Sequence, residues 1–300
     1  MKRLLSCTSS ELVIMSGKEL KESIRASEGR TILSEVIPAV PPLYPEVTNA
    51  ELAAGFGADL LLLNGLDVFN PEAFGLDAEK DNVISTIRNL TGRPVGINLE
   101  PVDSEADYME PVKAIPLGRT ACRDTLKKAK MMNPQFICLT GNPQTGVSNS
   151  EIIKAINRTR EVFGEDLMII AGKMHGAGVC EDIMNVEIID KFIEAGADVI
   201  LLPSPGTVPG VTTETAAKWI RKAHQKGALT MLTIGTSQEG ADETTIQQIA
   251  LNNKMAGADI HHIGDAGFTG IAVPENIMTY SIAVRGKRHT FIRMAGSINR

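Results

Sequence analysis

Eight short apolar runs, separated by stretches with apolar residues at helical spacing, dominate the hydrophobic pattern from residue 31 onward. Most of the runs lack polar/apolar alternation, which is typical of strands buried on both faces. The runs occupy residues 31–37, 59–64, 94–100, 135–140, 167–171, 198–203, 228–234 and 259–263. Strand and helix alternating eight times predicts a closed (β/α)8 TIM barrel of the α/β class. An open doubly wound sheet is the alternative, but no G-x-G-x-x-G follows the first run.

Signals for helix ends support this alternation. A Gly-Ala-Asp triplet at residues 57–59, 196–198 and 257–259 precedes three of the apolar runs, as expected for a left-handed helix exit leading into a strand. Thr48 with Glu51 and Ser148 with Glu151 are predicted capping boxes. Apolar spacing predicts helices over residues 82–90, 123–132, 186–194, 214–224, 244–255 and, after Pro274, 275–284.

The chain is predicted to form a single TIM-barrel domain over residues 1–300, with an N-terminal helical extension at 1–30 and the barrel at 31–300. In the extension, Ser16 and Glu19 form a possible capping box before a helix with Leu20 and Ile24 on one face. Such a helix could plug the barrel bottom or pack on a neighbouring subunit. Residues 285–300 also lie outside a minimal barrel, and both segments favour a homo-oligomer.

Composition excludes several classes of partner. Apolar residues make up 43% of the chain, enough for a large core, and the formal net charge is -6 without a long basic run. Nucleic acid and anionic membrane surfaces are therefore not expected as partners, and the aromatic content of 4% argues against base stacking. No stretch approaches the roughly 20 apolar residues of a membrane span. The four widely spaced cysteines form no CxxC pair, which favours a reducing, cytoplasmic location.

In a TIM barrel the functional groups gather at the C-terminal ends of the strands. Candidate catalytic groups there are Glu35 in the first strand, and Lys173 and His175 after the fifth. Lys173 could form a Schiff base or pair with an anion, and His175 could move a proton. Candidate substrate-binding residues at the other strand ends are Asn64, Asn98, Thr140, Asn142 and His262. His261 and His262 must face opposite sides of their strand, which leaves open which of them points into the barrel.

The loops after strands seven and eight are rich in glycine, and barrels often bind phosphate at this place. The predicted phosphate site comprises Gly235, Thr236, Ser237, Gly264, Asp265 and Gly267. Asp265 must then point away from the anion, meet a cation or hold a hydroxyl, because a carboxylate repels phosphate. The alternative is that these glycines only turn the chain. Glu239 also follows strand seven, and the loops at 66–81 and 101–118 are insertions on the same face, the second being a proline-rich lid candidate.

Two acidic residues, Glu100 and Asp67, are candidate Mg²⁺ ligands. Glu35 and Glu100 lie within or at the end of apolar runs, and a buried carboxylate needs a partner. Magnesium bound by carboxylates and water is one such partner. An ion pair with Lys173 or Arg119 is the other.

Two segments resemble the phosphoenolpyruvate mutase/isocitrate lyase superfamily. Residues 49–59, NAELAAGFGAD, with Asn64-Gly65, resemble its first helix and second strand, and residues 94–100, PVGINLE, resemble its third strand, P-V-x-x-D-x-D. On this match Asn98 stands at the first aspartate and Glu100 at the second, which is a magnesium-binding position. The family's Lys-Cys-Gly-His loop has no counterpart near strand four, where Thr140-Gly141-Asn142-Pro143 stands.

The resemblance implies a metal-assisted lyase or mutase-like enzyme that acts on a small phosphorylated or carboxylate metabolite. Two alternatives remain open at this point. One is a Schiff-base aldolase that uses Lys173, and the other is a barrel that binds a metabolite without turnover or serves in an assembly.

Overall fold

Eight parallel strands close into one barrel in a computed structural model that describes residues 1–76 and 78–300. The order is β1 to β8 around the ring, and β8 pairs with β1. The strands are β1 Thr31–Val36, β2 Leu60–Leu63, β3 Val95–Leu99, β4 Phe136–Leu139, β5 Met168–Gly172, β6 Val199–Pro203, β7 Leu229–Ile234 and β8 Ile260–Ile263. Every apolar run of the sequence is a strand, with ends that differ by one residue at most. The predicted (β/α)8 fold is therefore confirmed.

Two of the helices precede β1, and the others follow the strands and cover the outside of the barrel. They are α1 Ser9–Val13, α2 Gly17–Arg25, α3 Asn49–Gly55, α4 Val83–Thr91, α5 Arg123–Met131, α6 Asn149–Phe163, α7 Val186–Glu194, α8 Thr213–Gln225, α9 Glu243–Ala256 and α10 Pro274–Ala295. The capping boxes at Ser16 and Thr48 are both complete. At α6 only half of the box forms, because Ser148 caps the helix while Glu151 pairs with Arg158 and Lys154.

The last helix differs from the prediction. α10 continues past residue 284 to Ala295, with a break at Gly286, whose φ is 79°. Glycine adopts this left-handed conformation without the steric cost that other residues meet. No helix in the described part of the chain is both long enough and apolar enough to cross a membrane.

Alternation along the strands assigns each side chain to the barrel interior or to the layer beneath the helices. In β8, His262 points inward and reaches Glu35 of β1, whereas His261 points outward and stacks edge-on against Tyr280 of α10 at 5.9 Å between ring centroids. This resolves which histidine of the pair faces the interior.

The N-terminal segment closes the bottom of the barrel. Leu4, Leu12, Leu20 and Ile24 are fully buried in one cluster with interior strand residues such as Met168. Gly17 at the start of α2 lies so close to β5 that a Cβ there would be 2.1 Å from the backbone nitrogen of Met168. The sequence left two arrangements open for this helix, a plug at the barrel bottom and packing on a neighbouring subunit. The structure shows the plug.

The three Gly-Ala-Asp triplets share one structural role. Gly57, Gly196 and Gly257 all have positive φ and end their helices. The aspartate that follows each alanine then accepts a hydrogen bond from a backbone N–H of the preceding strand: Asp59 from Ile32, Asp198 from Ile169 and Asp259 from Thr230. The triplet therefore joins neighbouring strands at the bottom of the barrel, away from the strand ends that carry the candidate site.

Candidate active site

A cavity of about 400 Å³ opens at the C-terminal ends of the strands. Its wall contains residues from β1 and β3 and from the loops after β2, β3, β4, β5, β7 and β8. Most of the predicted site residues are in this wall, namely Glu35, Asn64, Asn98, Thr140, Asn142, His175, Gly235, Thr236, Ser237, Gly264 and Asp265. The structure thus brings together groups that are up to 230 positions apart in the chain.

Asn64 is the centre of a hydrogen-bond network on one side of the cavity. Its Nδ2 donates to Asn142 Oδ1 and to Asp265 Oδ2, each at 2.8 Å. Its Oδ1 accepts from Nδ2 of Asn98 and of Asn142, each at 3.0 Å. Both polar atoms of Asn64 are therefore engaged within the protein, which fixes the Asp265 carboxyl and the Asn98 amide relative to each other.

A buried pair of titratable groups, Glu35 and His262, lies at the base of the cavity. Glu35 Oε2 and His262 Nε2 are 2.9 Å apart. Burial raises the pKa of Glu35 to about 8, with smaller contributions from repulsion by Glu239 and Glu100. Burial also lowers the pKa of His262 to about 4. At neutral pH both groups are therefore uncharged and the bond joins a carboxylic acid to a neutral imidazole, so that the pair holds a proton available for transfer.

Two further carboxyl groups face the same space. Burial raises the pKa of Asp265 to about 7, and repulsion from Glu35 adds to this shift while the hydrogen bond from Asn64 opposes it. Burial likewise raises the pKa of Glu239, whose Oε1 accepts from the backbone N–H of Ala266 at 3.1 Å. Gly264 is needed here, because a Cβ at this position would be 2.7 Å from that Glu239 oxygen.

The two candidate residues after β5 are placed differently. His175 lines the cavity, and burial lowers its pKa, with repulsion from Lys173 adding to the effect. Lys173 lies behind the wall, is 1% exposed and pairs with Glu181. Burial lowers the pKa of Lys173 and the Glu181 partner opposes that shift. His175 therefore lines the cavity, whereas Lys173 does not.

The glycine-rich loops after β7 and β8 do not form a simple anion cradle. The Thr236 hydroxyl donates to the backbone carbonyls of Thr207 and Gly235. The N-terminus of α9 is already capped by Asp242. Gly267 is outside the wall, in a position where a Cβ would be 2.8 Å from the backbone nitrogen of Val273, so its small size serves packing. The alternative interpretation, that a glycine here shapes the chain, applies to Gly267, and phosphate binding by these loops stays a prediction.

The two candidate magnesium ligands have protein partners. Glu100 Oε1 accepts from Arg119 at 2.6 Å and its Oε2 accepts from the backbone N–H of Asn142 at 2.9 Å. Asp67 Oδ1 accepts from the backbone N–H groups of Phe69 and Asn70. Within residues 1–76 and 78–300, no group of three or more His, Cys, Asp or Glu side chains could hold a metal ion. Glu100 and Asp67 are therefore engaged by protein groups, and Glu100 has the Arg119 partner that was the alternative, while a Mg²⁺ site at these two residues stays a prediction.

Two methionines in the wall were not among the predicted site residues. Met174 neighbours the candidates of the β5 loop, and Met109 belongs to the proline-rich insertion after β3. That insertion lies across the β4 and β5 loops through backbone hydrogen bonds from Met109 to Gly178 and from Lys113 to Gln144. The sequence signal was the insertion itself, whose position predicted a cover for the site but not which side chain would reach inside.

Two solved structures are similar to this chain. A solved 2,3-dimethylmalate lyase, a member of the phosphoenolpyruvate mutase/isocitrate lyase superfamily, is 15% identical over 83% of this chain and 81% of its own, with a TM-score of 0.51. A thiamine phosphate pyrophosphorylase from Pyrococcus furiosus is 12% identical over 86% of this chain and 96% of its own, with a TM-score of 0.49. The first similarity confirms the resemblance to the superfamily at the level of the fold.

Sequence comparisons assign the chain to a family. No curated protein matches it. A family described as Domain of unknown function (DUF7916) matches residues 5–300. That match extends from the N-terminal plug through the whole barrel to the last residue, and the chain therefore belongs to the DUF7916 family.

Proposed function

We propose that this protein is an enzyme of the lyase or isomerase type that moves a proton on a small polar metabolite bound in the barrel cavity. The observation that carries the proposal is the Glu35–His262 pair, in which burial shifts two pKa values in opposite directions beside a cavity of suitable size. Such displaced pairs are typical of acid–base sites. The resemblance to the phosphoenolpyruvate mutase/isocitrate lyase superfamily favours the same reaction classes.

The side chains suggest a division of roles. Glu35 is protonated at neutral pH and would act as the general acid that gives its proton to the substrate, while neutral His262 orients the Glu35 carboxyl. Asp265, with a pKa of about 7, is suited to accept a proton from substrate at neutral pH. Asn98 and Thr140 would bind the substrate, since each is in the wall and has a polar oxygen without a protein partner.

The proposal includes no metal step, because Glu100 and Asp67 are engaged by the protein. It also includes no Schiff base, because Lys173 pairs with Glu181 behind the wall. A phosphate or carboxylate on the substrate remains a prediction without a lysine or arginine partner among the described residues of the wall.

Solvent exchange of carbon-bound hydrogen tests the proposal with a range of candidate substrates. The protein is incubated in D₂O with a panel of small oxo and hydroxy compounds that carry amino, carboxylate, phosphate or no charged groups. Proton NMR then records the loss of C–H signals. We expect exchange in at least one compound and a loss of about 10²-fold or more in Glu35→Gln, the scale of general acid–base catalysis.

Two outcomes contradict the proposal. Exchange that is unchanged in both Glu35→Gln and His262→Gln means that the pair does not carry the chemistry. No exchange in any compound favours a barrel that binds without turnover. Glu187→Gln, which changes an exposed glutamate on α7, serves as the matched control and should behave like the wild type.

A further inference from the structure

The cavity wall carries several carboxyl groups without a basic side chain to pair with them. Glu35, Glu239 and Asp265 come from β1 and from the β7 and β8 loops, and all three line the cavity. No lysine or arginine lines it within the described residues. His175 and His262 offer no fixed positive charge either, because burial lowers the pKa of both. Buried carboxylates of this kind need a cationic or hydrogen-bonding partner.

A second observation shows what the wall lacks. Three oxygens of wall residues have no hydrogen-bond partner, namely Asn98 Oδ1, Thr140 Oγ1 and Glu239 Oε2. Their residues are only 2%, 1% and 2% exposed, so bulk water does not replace the missing partner. Asn64 cannot supply it, since both of its Nδ2 hydrogens are already donated to Asn142 and Asp265. The three unpaired oxygens are mainly hydrogen-bond acceptors. A ligand that pairs with them must therefore supply hydrogen-bond donors.

We propose that the cavity binds a small hydroxylated amine, with its protonated amino group between the carboxyls of Glu239 and Asp265 and its hydroxyl groups at Asn98 Oδ1 and Thr140 Oγ1. The inference rests on the proposed function for its choice of cavity and names the substrate class. An ammonium group has three donors and a positive charge, which match the acceptors and the carboxyls in the wall. The carboxyls also disfavour a phosphorylated ligand in the same space.

Three small probes with a related carbon skeleton separate the effect of ligand charge on affinity from the effect of ligand shape. They are 2-amino-1,3-propanediol, glycerol and glycerol 3-phosphate, which carry a positive, no and a negative charge. Ligand-observed proton NMR at pH 8 measures the affinity of each for the intact protein, and MgCl₂ alone is tested as a competitor. We expect the amine to bind at least tenfold more tightly than glycerol, and glycerol 3-phosphate to show no binding.

Variants locate the effect within the cavity. Glu239→Gln keeps an oxygen for the Ala266 N–H but removes the charge, and it should weaken binding of the amine at least tenfold. Asp265→Asn should act in the same direction. Glu105→Gln removes an exposed carboxylate from the β3 insertion, outside the wall, and should leave the affinity unchanged.

Four results overturn the inference: equal binding of the amine and glycerol, stronger binding of glycerol 3-phosphate, displacement of the amine by Mg²⁺ alone, or no binding of any probe. Each is distinguishable from failure of the proposed function, because binding is measured without turnover. Selective amine binding without hydrogen exchange refutes only the catalytic proposal. Hydrogen exchange that depends on Glu35, without a preference for the amine, refutes only the substrate class.

Discussion

At the scale of single residues, the Glu35 carboxyl predicts an unusual dependence of stability on pH. Its pKa in the folded protein is about 8, above the ordinary value of 4.5. Between these values the folded protein holds a proton that the unfolded chain has released. The contribution of Glu35 to stability is therefore complete below pH 4.5 and is lost as the pH rises towards 8.

Glu35→Gln tests this dependence, because glutamine imitates the protonated acid and cannot ionise. Relative to the wild type, the variant should gain free energy of unfolding as the pH rises from 5 to 9, on the order of a few kcal/mol. Urea unfolding at pH 5, 7 and 9 measures the difference. The exposed control Glu187→Gln should show a flat difference, and a flat difference for Glu35→Gln as well would contradict the assigned burial effect.

Asn64 supports a second prediction at this scale. Asn64→Ala removes the donor to Asp265 and to Asn142 and leaves their oxygens with one partner fewer in a buried network. We expect a loss of about 1–3 kcal/mol in the free energy of unfolding, measured by urea denaturation. Asn157→Ala on the exposed face of α6 is the matched control and should change stability by about 0.5 kcal/mol or less. A similar small effect at Asn64 would mean that the network does not hold the cavity.

Residue chemistry could be predicted from the sequence only in part. Strand ends identified Glu35, Asn64, Asn98 and Asp265, because parallel strands deliver their C-terminal residues to one face. The partners of those groups were not accessible in this way. Whether Glu100 pairs with Arg119 or binds a metal ion depends on how two loops fold over one another, and hydrophobic periodicity does not encode this.

At the scale of elements, the contact between α2 and the barrel bottom predicts different results for two glycines in helices. Gly17→Ala places a Cβ 2.1 Å from the backbone nitrogen of Met168, so α2 must shift away from β5. We expect a loss of about 1–3 kcal/mol, the range for overpacking. Gly55→Ala in α3 has no atom within 4 Å of the new Cβ and should be neutral or stabilising. Thermal unfolding of both variants measures this, and equal effects would contradict the plug contact.

Helix and strand positions followed closely from hydrophobic periodicity, since buried parallel strands and amphipathic helices differ in both length and spacing. The packing of the last helix did not follow from this periodicity. Residues 285–300 favoured subunit contacts, yet Arg285 and Arg293 of α10 turn inward to Asp59. Phe291 and Ile292 remain exposed in the same helix, and the homo-oligomer remains a prediction.

At the scale of the whole molecule, the three Gly-Ala-Asp triplets lie at the end of the barrel opposite the candidate site. Their aspartates hold neighbouring strands together at the bottom, each with a basic partner from another element. The cavity with its carboxyls of raised pKa lies at the opposite ends of the strands. Repetition of a motif in a barrel sequence therefore indicates closure of the ring, whereas the unrepeated polar residues at the strand ends indicate the site.

Replacing these aspartates by asparagine predicts a graded loss of stability across the molecule. Asp59 is fully buried, and although burial alone would raise its pKa, Arg285 and Arg293 outweigh that effect and lower it. Asp59→Asn leaves two buried arginines without an anion and should cost about 3–5 kcal/mol in urea unfolding. Asp198→Asn and Asp259→Asn should each cost less, because their partners Lys21, Arg160 and His224 are partly exposed and can regain water. An equal loss at all three positions would show that the strand-to-strand hydrogen bond, and not the buried ion pair, accounts for the stability.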